Sequence, residues 1–568
     1  MNRKKKRLKL GKLVLFIVII AIITLGVIFG IKKIFGSSNI IIKKSYDKYL
    51  ASENNVVSIY EYSKNEDGTE VLNKSEDITR GTKISTKNDK FTYEEKEYTL
   101  INYNDKEYYV FSNELVDNEK DVVLEKNKFV RTSVTVYKNE VDSKIESFIK
   151  KGNELEILDY DKLLDNGNVN MYKIKKDDIS GWVYAKYLVN DKDSALANYN
   201  ENSVYDTHKD RKYGSRELYG GKASTLDYYP YERVSFEDNK LLETAKSMYL
   251  NAGSNVINNI DSYLDIAKNN GVNMIVVDIK DGALAYSSEV AKEYSRTAYN
   301  TAIKSNEKYK SAIDKIKEAG IYVVGRIVVF NDVHYGKDHP EDCITSSASS
   351  RLWPSAYSRG AWEYNVELAK EAIRTMGFNE IQFDYVRFPE DAYNMSVKGN
   401  TDFRNKYDEE KAEAVQNFLF YAVDQIHKEG AYLSVDVFGE CSSEYVTAYG
   451  QYWPAISNIV DAISSMPYTD HFGRNNDTWS NPYKTVYNWA VGAAKRQTEI
   501  PTPAIARTWI TAYDTPYWNP KVIYDASKIS DQAKALVDAG LKGGFITWNS
   551  ASSLSKYQQI KSAFNKDY

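Results

Sequence analysis

The stretch Gly377-Phe-Asn-Glu-Ile-Gln-Phe-Asp-Tyr-Val-Arg-Phe-Pro-Glu-Asp391 reads as a helix end, an apolar strand and a carboxylate near the strand's end. A glycine closes a helix cheaply because it tolerates the left-handed conformation of the cap. Ile381-Gln-Phe-Asp384 then follows as the strand, and Arg387 and Pro389 close it. An aspartate among apolar strand residues is costly to bury unless it is paired or used. In a barrel of parallel strands, that end of the strand opens onto the face where side chains meet a ligand.

The same pattern recurs through residues 241–568. Asn269-Asn-Gly271 leads into Met274-Ile-Val-Val-Asp-Ile279, and Glu318-Ala-Gly320 into Ile321-Tyr-Val-Val-Gly-Arg-Ile-Val-Val-Phe330. Lys428-Glu-Gly430 leads into Tyr432-Leu-Ser-Val-Asp-Val-Phe438, and Asp538-Ala-Gly540 into Gly543-Gly-Phe-Ile-Thr-Trp548. Further strands fit at 247–251, 462–466 and 503–510. These are near-continuous apolar runs, as expected of strands buried on both faces. Eight such units without a Gly-rich phosphate loop favour an α/β fold of the (β/α)8 TIM-barrel type over a doubly wound sheet.

The rest of the chain divides differently. Seven basic residues from Arg3 to Lys12 precede the uncharged run 13–31, and Lys32-Lys33 follow it. At about 1.5 Å per residue this run nearly matches a bilayer core of about 30 Å. The expectation is a cytoplasmic tail (1–12), an uncleaved transmembrane anchor (13–31) and extracytoplasmic domains beyond it. The rival is a cleaved signal peptide, whose apolar region is usually shorter and ends in an A-x-A-like site. A polar spacer is expected over 32–74. Tyr109-Val-Phe-Ser-Asn-Glu-Leu-Val116 lines up with Trp182-Val-Tyr-Ala-Lys-Tyr-Leu-Val189, which suggests a duplicated small β unit. The second copy, 130–191, resembles a bacterial SH3-like domain in its closing Gly181-Trp182-Val183 and Tyr187-Leu188; the first, 75–118, resembles a degenerate copy. That resemblance implies cell-wall peptide or glycan as a partner, or a spacer role. Residues 192–240 read as a linker that partly packs on the next domain.

With 75 Lys+Arg against 79 Asp+Glu the net charge is -4, so no basic footprint for nucleic acid is present. The two cysteines, Cys343 and Cys441, lack metal-type spacing and leave one bridge conceivable; the five histidines are scattered. No cofactor and no metal are expected. A G-x-S-x-G elbow is also missing.

Polar residues accumulate instead at the strand ends: Asp278, Lys280 and Asp281; Arg326; Asp384, Tyr385 and Arg387; Asp436 and Glu440; His471; Trp509; Trp548 and Asn549. Convergent carboxylates flanked by aromatic faces suit glycoside hydrolysis, in which one carboxyl protonates the leaving oxygen and another attacks or stabilises the sugar cation. Asp384 is the expected nucleophile or charge-stabilising group, against a purely structural partnership with Arg326 or Arg387. Asp436 is the expected acid/base, against a buried barrel hydrogen-bonder. Glu440 is the alternative acid/base, on the expectation that it shares the parity of Asp436 and points to the same side. The remaining residues are expected to bind substrate.

These residues also fall in motifs of a known family. Val276-Val-Asp-Ile-Lys-Asp281, Gly325-Arg-Ile-Val-Val-Phe330, Trp362-Glu-Tyr-Asn365, Glu380-Ile-Gln-Phe-Asp-Tyr-Val-Arg-Phe-Pro389, Val435-Asp-Val-Phe-Gly439 and Trp548-Asn549 stand in register. Together they make residues 241–568 resemble the glycosyl-hydrolase barrel domain of secreted bacterial proteins, first catalogued as a domain of unknown function. The resemblance implies a barrel and a sugar-active enzyme. Two departures stand out: Glu440, where the family usually carries an aromatic, and Arg507-Thr-Trp-Ile-Thr511, where it tends to Pro-Trp-Leu-Gln. The expected function is a membrane-anchored hydrolase of cell-wall or surface polysaccharide. The alternative is a non-catalytic glycan-binding scaffold built on a barrel without turnover.

Overall fold

The computed structural model describes residues 44–197, 199, 212–213, 216–217, 220–303, 305–515 and 517–568. The expected anchor at 13–31 lies outside them. Among the described residues no helix is long and apolar enough to cross a membrane. The chain forms two compact units, one reaching Glu125 and including Leu163–Asn168, the other made of Lys126–Lys162 and Val169–Tyr568.

The first unit holds an antiparallel seven-stranded sheet formed by Tyr46–Leu50, Val56–Lys64, Glu70–Thr79, Lys83–Tyr93, Lys96–Tyr103, Lys106–Phe111 and Leu115–Val116. Its core gathers Leu50, Val57, Ile59, Ile78, Ile84, Ile101, Tyr108 and Val110. Arg80 lies buried beside it and donates to both carboxylate oxygens of Glu125, at 2.8 and 2.7 Å. Three of these strands begin within the stretch expected to be a spacer. Their outward positions are polar, which hides the alternation of Val57 and Ile59 that drives the strand.

The second unit opens with a seven-stranded sheet over Asn127–Val130, Val134–Tyr137, Ile145–Ile149, Glu154–Tyr160, Met171–Lys176, Ile179–Tyr184 and Leu188–Val189. In both sheets the spatial order, counted along the chain, is third, second, sixth, fifth, fourth, first, seventh. A short 3-10 turn precedes the last strand in each, at Ser112–Glu114 and Ala185–Tyr187.

The rest of the second unit is a parallel sheet with helices between its strands. We number its strands β1 (Ala245–Leu250), β2 (Met274–Asp281), β3 (Tyr322–Val328), β4 (Glu380–Asp384), β5 (Tyr432–Phe438), β6 (Ala462–Met466), β7 (Ile505–Ala506), β8 (Thr508–Thr511) and β9 (Gly544–Trp548). The spatial order is β7-β6-β5-β4-β3-β2-β1-β9-β8. Its two ends are separated in the chain by Arg507 alone, whose backbone N–H donates to Ile463 O of β6 at 3.0 Å, so the sheet curls into a nearly closed, barrel-like wall. Helix α1 (Arg359–Met376) shows how a strand is delivered. Ser358 caps its start by accepting from Ala361 N, and Gly377, at φ 83°, ends it. All five residues of β4 are buried. At the N-terminal end of the barrel, Arg507 donates to Glu380 Oε1 at 2.9 Å and Oε2 at 2.7 Å, and Tyr322 Oη adds a bond to Oε2 at 3.0 Å.

The small sheet of this unit is packed on helix α2 (Lys411–Lys428). Tyr187 Oη donates to Asp424 at 2.9 Å, Tyr421 Oη to Ser143 O at 2.9 Å, and the rings of Tyr137 and Tyr421 stack at 6.1 Å. Within the stretch expected to be a linker, Lys192–Leu196 is helical, and Ala223, Leu226 and Tyr228 pack into a cluster with Ala412, Val446, Tyr452 and Ala455. Cys343 and Cys441 are both buried and free.

A fragment starting at residue 241 therefore loses partners that the barrel needs. Leaving Asp424 and its neighbours unsatisfied costs about 1–3 kcal/mol per group. In urea titrations the 241–568 fragment should unfold at lower denaturant than the full chain; coincident midpoints would show that the small sheet contributes nothing.

Candidate active site

At the C-terminal ends of the strands one guanidinium gathers the acids. Arg326 of β3 donates from Nη1 to Asp278 Oδ1 of β2 at 2.7 Å and to Asp281 Oδ2 at 3.0 Å. From Nη2 it donates to Asp384 Oδ2 of β4 at 2.6 Å. Its Nε lies 3.7 Å from Asp436 Oδ2 of β5. Register explains the convergence: Asp278 is the lateral partner of Arg326, and Asp384 that of Val328, two residues further along the same strand and hence on the same face.

Asp278, Asp384 and Asp436 are all buried with Arg326. Three carboxyls cannot be balanced by one cation, and the imbalance falls on Asp436. Trp509 Nε1 donates to its Oδ1 at 2.7 Å, while its Oδ2 is buried without a hydrogen-bond partner. Burial, reinforced by the charge of Asp384, holds the Asp436 carboxyl well above the usual carboxylate range. Burial also raises Asp278 to about 6, against the pull of Arg326. Tyr249 of β1 donates its hydroxyl to Asp278 Oδ2.

Asp384 is held on its other side by its own chain. Tyr385 takes a left-handed φ of 55°, and its N–H donates to Asp384 Oδ1 at 2.6 Å. Such a φ is uncommon for a bulky residue and places local strain beside the carboxylate. Aromatic faces surround the group: Trp548 lies 5.5 Å from the Arg326 guanidinium, with Tyr249 at 4.6 Å and Tyr468 stacked at 6.2 Å on its ring. Asn549 is buried, and its Nδ2 has no hydrogen-bond partner.

Other expected site residues stand apart from this cluster. Lys280 is displaced by a register shift after Asp278 and donates to Asp332 at 2.6 Å and Asn365 Oδ1 at 2.8 Å, beneath Tyr364. Burial lowers its pKa, against the pull of Asp332. Arg387 turns away from Asp384, donating to Phe388 O at 2.9 Å and Glu390 at 2.8 Å and covering the ring of Phe438 at 4.3 Å. Glu440 does not follow the parity of Asp436. β5 ends at Phe438, and the chain enters a 3-10 turn, Gly439–Ser442, which carries Glu440 outward to accept from Tyr445 and Tyr449 at 2.9 Å each. His471, in the turn Thr469–Phe472, is exposed, with its ring edge-on to Tyr468 at 5.5 Å. Tyr249, Asp332 and Asn365 were given no site role from the sequence, although Asp332 follows the third strand and Asn365 ends the Trp362-Glu-Tyr-Asn365 motif. For Tyr249 the signal was its alternation with Ser247 along the first strand.

Among the described residues one group has metal-ligand chemistry, His339, Glu341 and Asp342, whose ligand atoms lie within 4.8 Å of one another. The ring is already engaged, Nε2 at 2.6 Å from Tyr294 O and Nδ1 at 3.2 Å from Glu341.

The family model described as "Putative glycosyl hydrolase domain" matches residues 247–554, more than half of the chain, and the chain belongs to that family. The barrel is thereby placed among the glycoside hydrolases. No curated protein matches the chain. Among solved structures, a hypothetical protein from Ruminiclostridium thermocellum ATCC 27405 is 32% identical over 34% of this chain and 97% of its own, with a TM-score of 0.28. Alpha-L-fucosidase isoenzyme 2 from Paenibacillus thiaminolyticus is 12% identical over 56% of this chain and 49% of its own, with a TM-score of 0.38. The Bacillus cereus spore cortex-lytic enzyme SleL is 13% identical over 57% of this chain and 76% of its own, with a TM-score of 0.36.

Arg326→Met should destabilise the fold by about 3–5 kcal/mol near neutral pH, because it leaves buried carboxylates without their cation. Lower pH protonates those groups, so the deficit against wild type should shrink as pH falls. Denaturant titrations of both proteins across pH 4–8 test this; a deficit independent of pH would mean that the lost packing of the side chain, not its charge, matters.

Proposed function

We propose that residues 241–568 form a (β/α)8 barrel, with β7 and β8 counted as one strand interrupted at Arg507, and that it hydrolyses glycosidic bonds through Asp436 and Asp384. The observation that carries the assignment is the buried Asp436 carboxyl, whose ionisation is opposed by burial and by neighbouring Asp384, with its Oδ2 unpartnered. A general acid needs a proton at working pH and a free oxygen aimed at a leaving group. Burial favours the protonated form of Asp436, and the Trp509 N–H on Oδ1 leaves Oδ2 to carry the proton. Asp384, oriented by Arg326 and the Tyr385 N–H, is the carboxylate that attacks the anomeric carbon or stabilises its cation. Asp278 and Tyr249 hold Arg326 in place, and Trp548 with Tyr468 offers a flat apolar wall to a sugar ring.

The basic cluster and uncharged run of residues 3–31 support an extracytoplasmic enzyme tethered to the membrane with its N-terminus inside. Such a position supports cell-wall or surface polysaccharide as the substrate class. The two small β units, read as SH3-like, would add wall contacts.

The test is product release from a panel of bacterial surface polysaccharides by the full chain beside its Asp384→Asn and Asp436→Asn variants. Wild type should release oligosaccharides, and each variant should lose at least about 100-fold in rate. The wild-type rate should fall as pH rises through the elevated pKa of Asp436, since the acid then loses its proton. Because Asn mimics a protonated Asp, Asp436→Asn should leave the thermal midpoint unchanged or higher. Binding without release by wild type would favour the scaffold reading.

A further inference from the structure

Beside the Arg326 cluster, between the loops that follow β5 and β6, lies a separate cleft of about 730 Å³. Ligand pockets commonly span about 300–1,000 Å³. Phe438, Tyr445, Phe472 and Trp489 give it aromatic walls, and Glu440 and His471 line it with them. Trp489 is fixed by its Nε1–H bond to Gly439 O at 2.9 Å, whereas Phe472 is 43% exposed, an unusual display for so apolar a side chain. The cleft borders the site directly, since Phe438 closes β5 two residues after Asp436 and Met466 closes β6.

Glu440 decides what such a cleft can hold. Its two oxygens each accept one tyrosine hydroxyl, from Tyr445 and Tyr449, both at 2.9 Å, so the carboxylate is oriented while its remaining lone pairs stay free. Its side chain is exposed and makes no ion pair among the described residues. The cations of the same lining are committed elsewhere: Lys495 to Glu444 at 3.3 Å, and Arg496 to Glu499 at 2.8 Å and Glu444 at 3.6 Å. An oriented, unpaired carboxylate among aromatic faces is the chemistry that receives an ammonium group, by a charge-assisted hydrogen bond and by attraction to the ring faces.

We propose that this cleft is a flanking subsite for an amino sugar with a free amine, and that Glu440 selects the ammonium over its N-acetylated form. The inference rests on the reading of the chain as a glycan hydrolase. It narrows the substrate class to polysaccharide carrying de-N-acetylated hexosamine near the scissile bond.

The experiment measures binding, so that it does not depend on turnover. Full chain carrying Asp436→Asn is titrated with a glucosamine tetramer and with the N-acetylglucosamine tetramer, following Trp fluorescence or heat, and repeated with Glu440→Gln added. Glutamine removes the charge, keeps the acceptor for one tyrosine hydroxyl and offers its amide N–H as donor to the other. The expected result is at least tenfold tighter binding of the glucosamine tetramer, a preference lost in the Glu440→Gln protein and weakened by added salt. Equal affinities, or a preference that survives Glu440→Gln, overturn the proposal. A glucosamine preference that is lost in the Glu440→Gln protein, together with absent hydrolysis by the wild type, would sink the enzyme reading and leave the cleft's selectivity standing.

Discussion

The site depends on one guanidinium serving too many carboxyls. Arg326 touches Asp278, Asp281 and Asp384 directly and stands beside Asp436. Its charge can balance one buried carboxylate fully, so the others must share it or keep a proton. The carboxyl furthest from the guanidinium nitrogens, Asp436, is the one whose ionisation is most opposed. In the proposed mechanism, proton donor and anion thus come from the same residue type around one guanidinium, and their surroundings distinguish them. Removing the cation would not merely weaken binding; it would erase the difference between the two acids.

The barrel carries a second buried pair at its opposite end, Arg507 with Glu380. There the stoichiometry is one to one, and Tyr322 completes the carboxylate's bonding. A balanced pair is structurally quiet, whereas the unbalanced group at the other end is chemically poised. Arg507 also occupies the break between β7 and β8, so the departure of this strand from the family pattern has a structural role at the barrel floor.

Much of this was legible from local chemistry. Helix, glycine and apolar strand recur with enough regularity to place β2 through β5 and β9, and strand-end acids such as Asp384 and Asp436 announce themselves because buried charge is expensive. Pairing between strands was not legible, since it depends on the register that sets Asp278 beside Arg326. The parity argument for Glu440 failed because the strand itself stopped, Glu440 lying beyond β5 in a 3-10 turn, and Lys280, expected at the same cavity, lies past a register shift. The early strands of the first unit were obscured by their polar outward faces. The duplication of the small sheets was visible only in their closing segments, although the whole strand order is shared.

The left-handed Tyr385 has an evolutionary consequence. Replacement by glycine or asparagine would relax its backbone, so random drift under selection for stability alone would favour exactly those changes. Either would also remove the ring beside the carboxylate. A tyrosine kept at this position in an active enzyme would therefore mark selection acting against the thermodynamic gradient, and a lineage released from the need to turn over substrate would be expected to lose it early.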